Sequence, residues 1–326
     1  MKQFHFISCF CFITVIVILI IDNILQSNNN ISKFDISFLN LQKGIVKINY
    51  LPNNIKSEYL RYILNNKYNV QLSKKKITTE KIRCSLYNTN KLLLFDNFFE
   101  NIRYNKCAIV MSSGSLKGSY HGNEINLHDM VLRFNDAKIK NFEQDVGSKT
   151  TFRIVNSRLV FHSPNLINNI REDIFIWDPS KYNDTIETWI NNTEFNFFSV
   201  LKKIRKKNIH VIHPQLLWKI WNVIQSSFDD RIQPNPPSSG MIGIVISMHI
   251  CDKITIYEFI PSIERNKHLC YYWKNIYDDA CIFGAYHPLI FEKGIIRKLH
   301  VGSENDINRG ILKLNGLLYN ECKNYY

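Results

Sequence analysis

The sequence predicts an α/β fold in which a mostly parallel, twisted sheet is flanked by helices, preceded by a membrane anchor and a stem. Three observations predict it. Beyond Cys84 the chain breaks into short apolar runs that end in polar or glycine-rich punctuation, spaced by stretches long enough for helices. Residues 6–21 form one apolar segment, whereas 22–80 hold neither a period of 2 nor one of 3.6. The 326 residues suffice for one large domain, and 45% hydrophobic with 21% charged residues is a globular composition, which excludes a disordered chain.

From the N-terminus, residues 1–5 read as a cytosolic tail and 6–21 as a transmembrane signal anchor. Between Phe6 and Ile21 only Ser8 and Thr14 are polar, and Phe4 with Ile24 and Leu25 can extend the segment toward the ~20 residues a bilayer requires. Lys2 precedes it, which directs the C-terminal bulk to the lumen. A cleaved signal would need small residues at the cleavage site, and 22–27 offer no such pair. Residues 22–80, rich in Asn, Lys, Ser and Ile and carrying the basic run Lys74–Lys76, read as the stem. Residues 81–326 form the luminal domain. Sequons at Asn30, Asn183 and Asn191 fit a glycosylating compartment.

Cys9 and Cys11 lie within the apolar segment; Cys84, Cys107, Cys251, Cys270, Cys281 and Cys322 lie beyond it. An even number in a translocated domain points to disulfides, whose pairing the sequence alone does not choose. No C-x-x-C or H-x-x-x-H spacing supports zinc, so no metal is expected.

The apolar runs Ala108–Met111, Met130–Phe134, Thr151–Val155, Ile174–Trp177 and Ile209–Ile212 read as strands. They meet Ser112, Asn135, Asn156, Asp178 and His213 at their C-terminal ends. In open α/β sheets ligands bind beyond the carboxyl ends of the strands, so these positions are ligand candidates; such residues also simply end strands and open turns. Ser112–Gly118 would let backbone N–H groups approach an anion, but neither it nor Gly147–Thr150 has the spacing of a dinucleotide fingerprint or a P-loop. Pro236 and Pro237 precede Ser238, Ser239 and Gly240, which open a segment, Met241–Cys251, apolar on nearly every face and read as a buried helix. Either serine can cap it, and the free N–H groups suit a phosphate or carboxylate. Tyr286, His287, Glu292 and Lys293 gather a phenol, an imidazole, a carboxylate and an ammonium just after Cys270–Cys281. An imidazole near its ordinary pKa can accept a hydroxyl proton, and the phenol and ammonium can steady a departing phosphate.

Taken together, four ordered segments resemble the eukaryotic sialyltransferases, and closely their β-galactoside α-2,6 group. Cys107–Asn156 is similar to the large sialylmotif, Gln233–Cys251 with Ile256–Phe259 to the small one, Cys270–Tyr272 to motif III, and His287 with Glu292 to the very small motif. The resemblance covers nearly everything after Cys84. It implies a GT-A-like, Rossmann-type catalytic domain that binds CMP-sialic acid without a metal or cofactor and inverts the anomeric centre; no D-x-D occurs. It implies His287 as the general base that deprotonates the galactose 6-hydroxyl of galactose-terminated glycans on glycoproteins. Ser112, Asn135 and Asn156 would contact the donor nucleotide, Ser238, Ser239 and Gly240 the sialyl carboxylate region, and Tyr271, Tyr286 and Lys293 the phosphate and ribose. It further implies the pairs Cys84–Cys322, Cys107–Cys251 and Cys270–Cys281 and a single-pass type II place in the Golgi membrane; a homodimer is a further candidate partner, which the sequence does not decide.

The chain departs from that group on the acceptor side. It carries Arg158 where the group has Gln, Glu194 where it has Asp, and Lys274 where Gln ends the tyrosine run. A long cation in place of an amide changes reach and charge, which keeps an α-2,3 or GalNAc-directed transfer as an alternative. A luminal nucleotide-sugar or glycan binder without turnover is a second alternative, against which stand the intact Tyr286, His287 and Lys293. The net charge of +13 and the basic run Lys202–Lys207 raise a nucleic-acid binder, which the anchor and sequons place on the wrong side of the membrane; the run reads as a solvated helix face.

Overall fold

The apolar runs pair side by side, as buried strands without an exposed face must. In the computed structural model, residues 77–317 and Cys322 are described apart from 90–97, 100, 183, 194, 205–207, 230, 264, 266–268, 279–280, 282–283 and 285. The expected anchor, all but the last residues of the expected stem, Asn30, Asn183 and Glu194 therefore lie outside the described residues.

Helix α1 (Thr79–Tyr87) opens the described chain, followed by β1 (Tyr104–Val110), α2 (Gly122–Asn126), β2 (Met130–Phe134), α3 (Glu143–Val146) and β3 (Phe152–Asn156). Then come α4 (Ser157–His162), α5 (Pro164–Asn169), β4 (Asp173–Trp177), α6 (Ile186–Asn191), α7 (Phe197–Leu201) and β5 (Ile209–Val211). The chain continues with α8 (Pro214–Ser226), α9 (Ser239–Ile250), β6 (Cys251–Tyr257), β7 (Leu269–Tyr271), β8 (Lys274–Tyr277), α10 (Leu289–Leu299), α11 (Glu304–Asn308) and β9 (Ile311–Asn315).

One seven-stranded sheet runs in the order β5-β4-β3-β2-β1-β6-β9. Strands β1 to β6 pair in parallel, and only β9 joins antiparallel, against β6. The chain builds outward from β1 to β5 and then returns through α8 and α9 to lay β6 on the other flank of β1. Right-handed crossovers put the outward helices on one face and the return helices on the other. Side chains obey this division. Val131 packs with Ile125 of α2 and Val146 of α3 on one face. On the other face a Cβ added to Gly243 of α9 would come within 2.8 Å of Leu132 and Phe134, so glycine is what lets the return helix lie directly on β2. A second cluster, with Val155, Ile174, Ile176, Trp189 and Phe197, seals the β3–β4 side.

Arg133 sits fully buried within the apolar run of β2. Its guanidinium donates to the carbonyls of Val146, Gly147 and Lys149 and to the Thr150 hydroxyl, at 2.6, 3.1, 2.9 and 2.9 Å. Burial lowers its pKa to about 10, which leaves it charged at neutral pH. The Gly147–Thr150 segment is thus wrapped around an internal cation, not shaped for an external phosphate.

Disulfides join Cys84 to Cys322, Cys107 to Cys251, and Cys270 to Cys281. The second ties β1 to β6, the pair at which the strand order reverses. Of the basic run, Lys202 is the C-cap of α7, which stops at Leu201, and Lys203 and Ile204 lie in tight turns beyond it, while 205–207 lie outside the described residues. Lys202 and Lys203, just past the helix C-terminus, meet the negative end of its dipole.

Candidate active site

The carboxyl edge of the parallel strands gathers most of the residues expected there. Just past β2, Asn135 adopts φ 45°, a left-handed turn that asparagine tolerates. This turn aims its side-chain oxygen at the backbone N–H of Asn156, 3.1 Å away at the end of β3. The Asn156 oxygen in turn accepts from Leu159 N–H at 2.9 Å and so caps α4. Each carboxamide nitrogen then has no partner among the described residues, and two NH2 groups remain as donors on neighbouring strand ends. After β1, the carbonyl of Ser112 accepts from Tyr272 N–H at 3.2 Å, which docks the β7–β8 hairpin on the serine-glycine loop. Gly114 makes this docking feasible, since a Cβ there would fall 2.3 Å from that of Leu269.

The return helix points its N-terminus at the same edge. Ser238 is the cap: its hydroxyl accepts from Met241 N–H at 3.1 Å. The same hydroxyl donates to one Glu292 oxygen at 2.6 Å, and Ser238 N–H donates to the other at 2.7 Å. Glu292 and Lys293 lie near the start of α10, both buried. Burial pushes the Glu292 carboxyl up to about 7, against the pull of its Ser238 bonds, and pulls the Lys293 ammonium down to about 8. Lys293 still carries its charge at neutral pH.

His287 precedes α10. Its Nδ1 lies 2.8 Å from the Pro236 carbonyl oxygen, and because a carbonyl only accepts, Nδ1 must hold the hydrogen. Nε2 is left as a bare lone pair without a partner among the described residues. Burial lowers the pKa of the ring, which keeps it neutral near pH 7. Beside it stands Trp177, the last residue of β4, with its ring centroid 6.1 Å from that of His287 in an edge-on arrangement. The Trp177 indole donates to the Ser239 hydroxyl at 2.8 Å, and Trp177 pairs in register with Asn156. Asn135, Asn156 and Trp177 therefore form one connected row, from which Trp177 reaches both Ser239 and His287.

Lys274, at the start of β8, binds Asp136 at 2.9 Å and lies 5.3 Å from the Tyr271 ring centroid, with the Tyr271 and Trp273 rings packed at 4.9 Å. The hairpin tip thus closes over the end of β2. Arg158 lies exposed in the first turn of α4, without a partner among the described residues. Tyr286, 76% exposed, stands outside these contacts, and Asn191 is exposed at the end of α6. Two strand-end residues have structural duties instead. Asp178 accepts from the Trp189 indole at 2.8 Å, and His213 caps α8 by accepting from Gln215 N–H at 3.2 Å. Trp177 carries no functional signal in the sequence, since a tryptophan closing an apolar run reads as core, and no side-chain pattern announces the Pro236 carbonyl. Among the described residues no helix is long and apolar enough to cross a membrane, and no three His, Cys, Asp or Glu side chains converge as for a metal.

The profile of glycosyltransferase family 29 (sialyltransferase) matches residues 52–303. The chain belongs to this family. It is 46% identical over 227 residues to beta-galactoside alpha-2,6-sialyltransferase 1 of Mus musculus, covering 67% of this chain and 56% of that protein. With the Homo sapiens protein of the same name it shares 39% over 306 residues, covering 85% and 75%. With beta-galactoside alpha-2,6-sialyltransferase 2 of Xenopus tropicalis it shares 36% over 307 residues, covering 84% and 59%. The family 29 chain thus spans between 56% and 75% of the length of these relatives.

Proposed function

We propose that this sialyltransferase-family chain moves sialic acid from CMP-sialic acid to the 6-hydroxyl of a terminal galactose, with inversion and without a metal. One observation carries the reading most directly. His287 is locked by the Pro236 carbonyl into the tautomer whose free nitrogen can take a proton, beside the N-terminus of α9. In the step proposed, the galactose O6 bonds to the anomeric carbon of the sialyl group as that carbon's bond to the phosphate oxygen breaks. The O6 proton passes to His287 Nε2, and CMP departs with the bonding pair. Departing negative charge is met by the Lys293 ammonium, and the sialyl carboxylate by the N–H groups and positive dipole of α9. The open amide donors of Asn135 and Asn156, with Ser112, hold the nucleotide in this reading, while Tyr271 and Tyr286 close on it. The names of the relatives above, beta-galactoside alpha-2,6-sialyltransferases, support both acceptor and linkage.

A GT-A-like reading of the sheet belongs to the same proposal, as does placement in the Golgi membrane through the apolar segment 6–21 with the domain in the lumen. Three disulfides in the folded domain support an oxidising compartment. The test is turnover by the full chain in detergent, given CMP-sialic acid and a galactose-terminated N-glycan. Release of CMP with an α-2,6-linked product is expected; CMP binding with no product on any galactosylated acceptor would sink the proposal, and an α-2,3 product would overturn the linkage.

A further inference from the structure

We propose that Trp177 is a positioning residue that holds the Ser239 hydroxyl and the His287 imidazole in one fixed relation. The proposal rests on the sialyl-transfer reading above. Trp177 closes β4 and is 4% exposed, so its ring is held by the sheet and has little freedom of its own. Its two contacts reach different halves of the site. The indole N–H donates to the Ser239 hydroxyl at 2.8 Å, across a sequence separation of 62 residues. An indole nitrogen is a donor only, so the Ser239 oxygen accepts and its own hydrogen must point elsewhere. Trp177 thereby decides which way that hydroxyl donates at the mouth of α9, where an anionic group of the donor is expected.

The second contact is with the base. The Pro236 carbonyl pins His287 at one atom, a hinge about which the imidazole can still swing. The Trp177 ring, edge-on with centroids 6.1 Å apart, stands against that swing. One side chain therefore sets both the donor-side hydroxyl and the direction of the Nε2 lone pair. Misplacement of a reacting group by about 1 Å is enough to cost orders of magnitude in rate, so a fixed reference between the two halves matters to turnover.

The two contacts separate by substitution. Trp177→Phe keeps the ring against His287 and removes only the N–H; Trp177→Leu removes both. With the full chain in detergent and acceptor saturating, Trp177→Phe should raise KM for CMP-sialic acid about fivefold, the loss of one neutral hydrogen bond, with kcat within about twofold. Trp177→Leu should show the same KM and lose at least about tenfold in kcat. In a Ser239→Ala background Trp177→Phe should raise KM no further, because its partner is already gone. A packing role alone would lower the thermal midpoint and the active fraction without separating KM from kcat. Wild-type KM in Trp177→Phe, the kcat of Trp177→Phe retained in Trp177→Leu, or additive effects with Ser239→Ala would each overturn the proposal; if Trp177→Leu does not fold, the Phe and Ser239→Ala arms decide it. Wild-type turnover is measured first: its absence defeats the transfer reading itself, whereas turnover with no such separation defeats only the role of Trp177.

Discussion

Replacing Glu292 should affect stability in a way that depends on both the substitute and the pH. Its carboxylate is fully buried and takes both donors of the α9 cap, Ser238 N–H and Ser238 hydroxyl. Glu292→Ala leaves both without acceptors, and Ser238 is only half-buried, so water can compensate in part. At about 1–3 kcal/mol per unmade buried donor, a net loss of about 3 kcal/mol follows, or ~6–12 °C in thermal midpoint. Glu292→Gln keeps an oxygen for the Ser238 N–H and can donate to the hydroxyl oxygen, and at about pH 5.5, where the wild-type carboxyl is itself protonated and neutral, its loss should stay within about 1 kcal/mol. Burial raises the carboxyl from 4.5 to about 7, and a carboxyl raised in the folded state contributes stability that is full below 4.5 and is lost as pH rises through about 7. Between about pH 5.5 and 7.5 the wild type gives up ~2 kcal/mol as the buried carboxyl ionises, whereas glutamine, neutral throughout, keeps its stability, so the difference between the two shifts by ~2 kcal/mol in favour of Gln. Loss of the negative neighbour also lets Lys293 discharge at lower pH, which acts in the same direction. Thermal unfolding of the three proteins across this range is the assay. A difference between Gln and wild type that stays unchanged from about pH 5.5 to 7.5 would refute the raised carboxyl, and Ala matching Gln at the lower pH would refute the role of the two Ser238 bonds.

Burial lowers the His287 pKa, so the acid limb of kcat/KM should fall below the ordinary 6.5 of histidine, with activity lost as pH drops through it. His287→Ala should abolish CMP release while moving the thermal midpoint by only the few degrees expected of one hydrogen bond. Joint replacement of Cys107 and Cys251 by serine, opening a closure of 144 residues, should cost about 5 kcal/mol on the chain-entropy argument, seen as a large fall in denaturant midpoint. Asn156→Ala should cost about 1 kcal/mol through the α4 cap and also raise donor KM, which a substitution confined to the helix would not do; unchanged KM would remove Asn156 from the donor pocket.

The sheet was legible because its strands are apolar on both faces and end in turn-forming residues: Met130–Phe134 is a strand from end to end, and Ile174–Trp177 misses only Asp173. The return helix was equally plain from Ser238 onward, and the α7–Lys202 boundary was not, since lysine propagates a helix as readily as it follows one. For the candidate site, side-chain chemistry at strand ends and at a helix cap pointed to Asn135, Asn156 and Ser238, which the fold places at the carboxyl edge and at the N-terminus of α9, while contacts between distant segments stayed hidden. Asp178 and His213 occupy the same kind of position and turn inward to Trp189 and Gln215, a distinction that only three-dimensional partners make. The Glu292–Ser238 pair spans 54 residues and the Trp177–Ser239 pair 62, and no local pattern encodes either.

The β1–β6 seam also orders events during synthesis. β1 leaves the ribosome with one flank able to receive β2 at once, while its other flank waits for a strand whose first residue, Cys251, comes 144 positions after Cys107. Until then a growing parallel sheet carries an open, unpaired edge at its centre, the kind of surface that binds chaperones and invites wrong pairing. A thiol at Cys107 is exposed over the same interval. Oxidation of this cysteine by an earlier partner, such as Cys84, would trap the chain before its crevice exists.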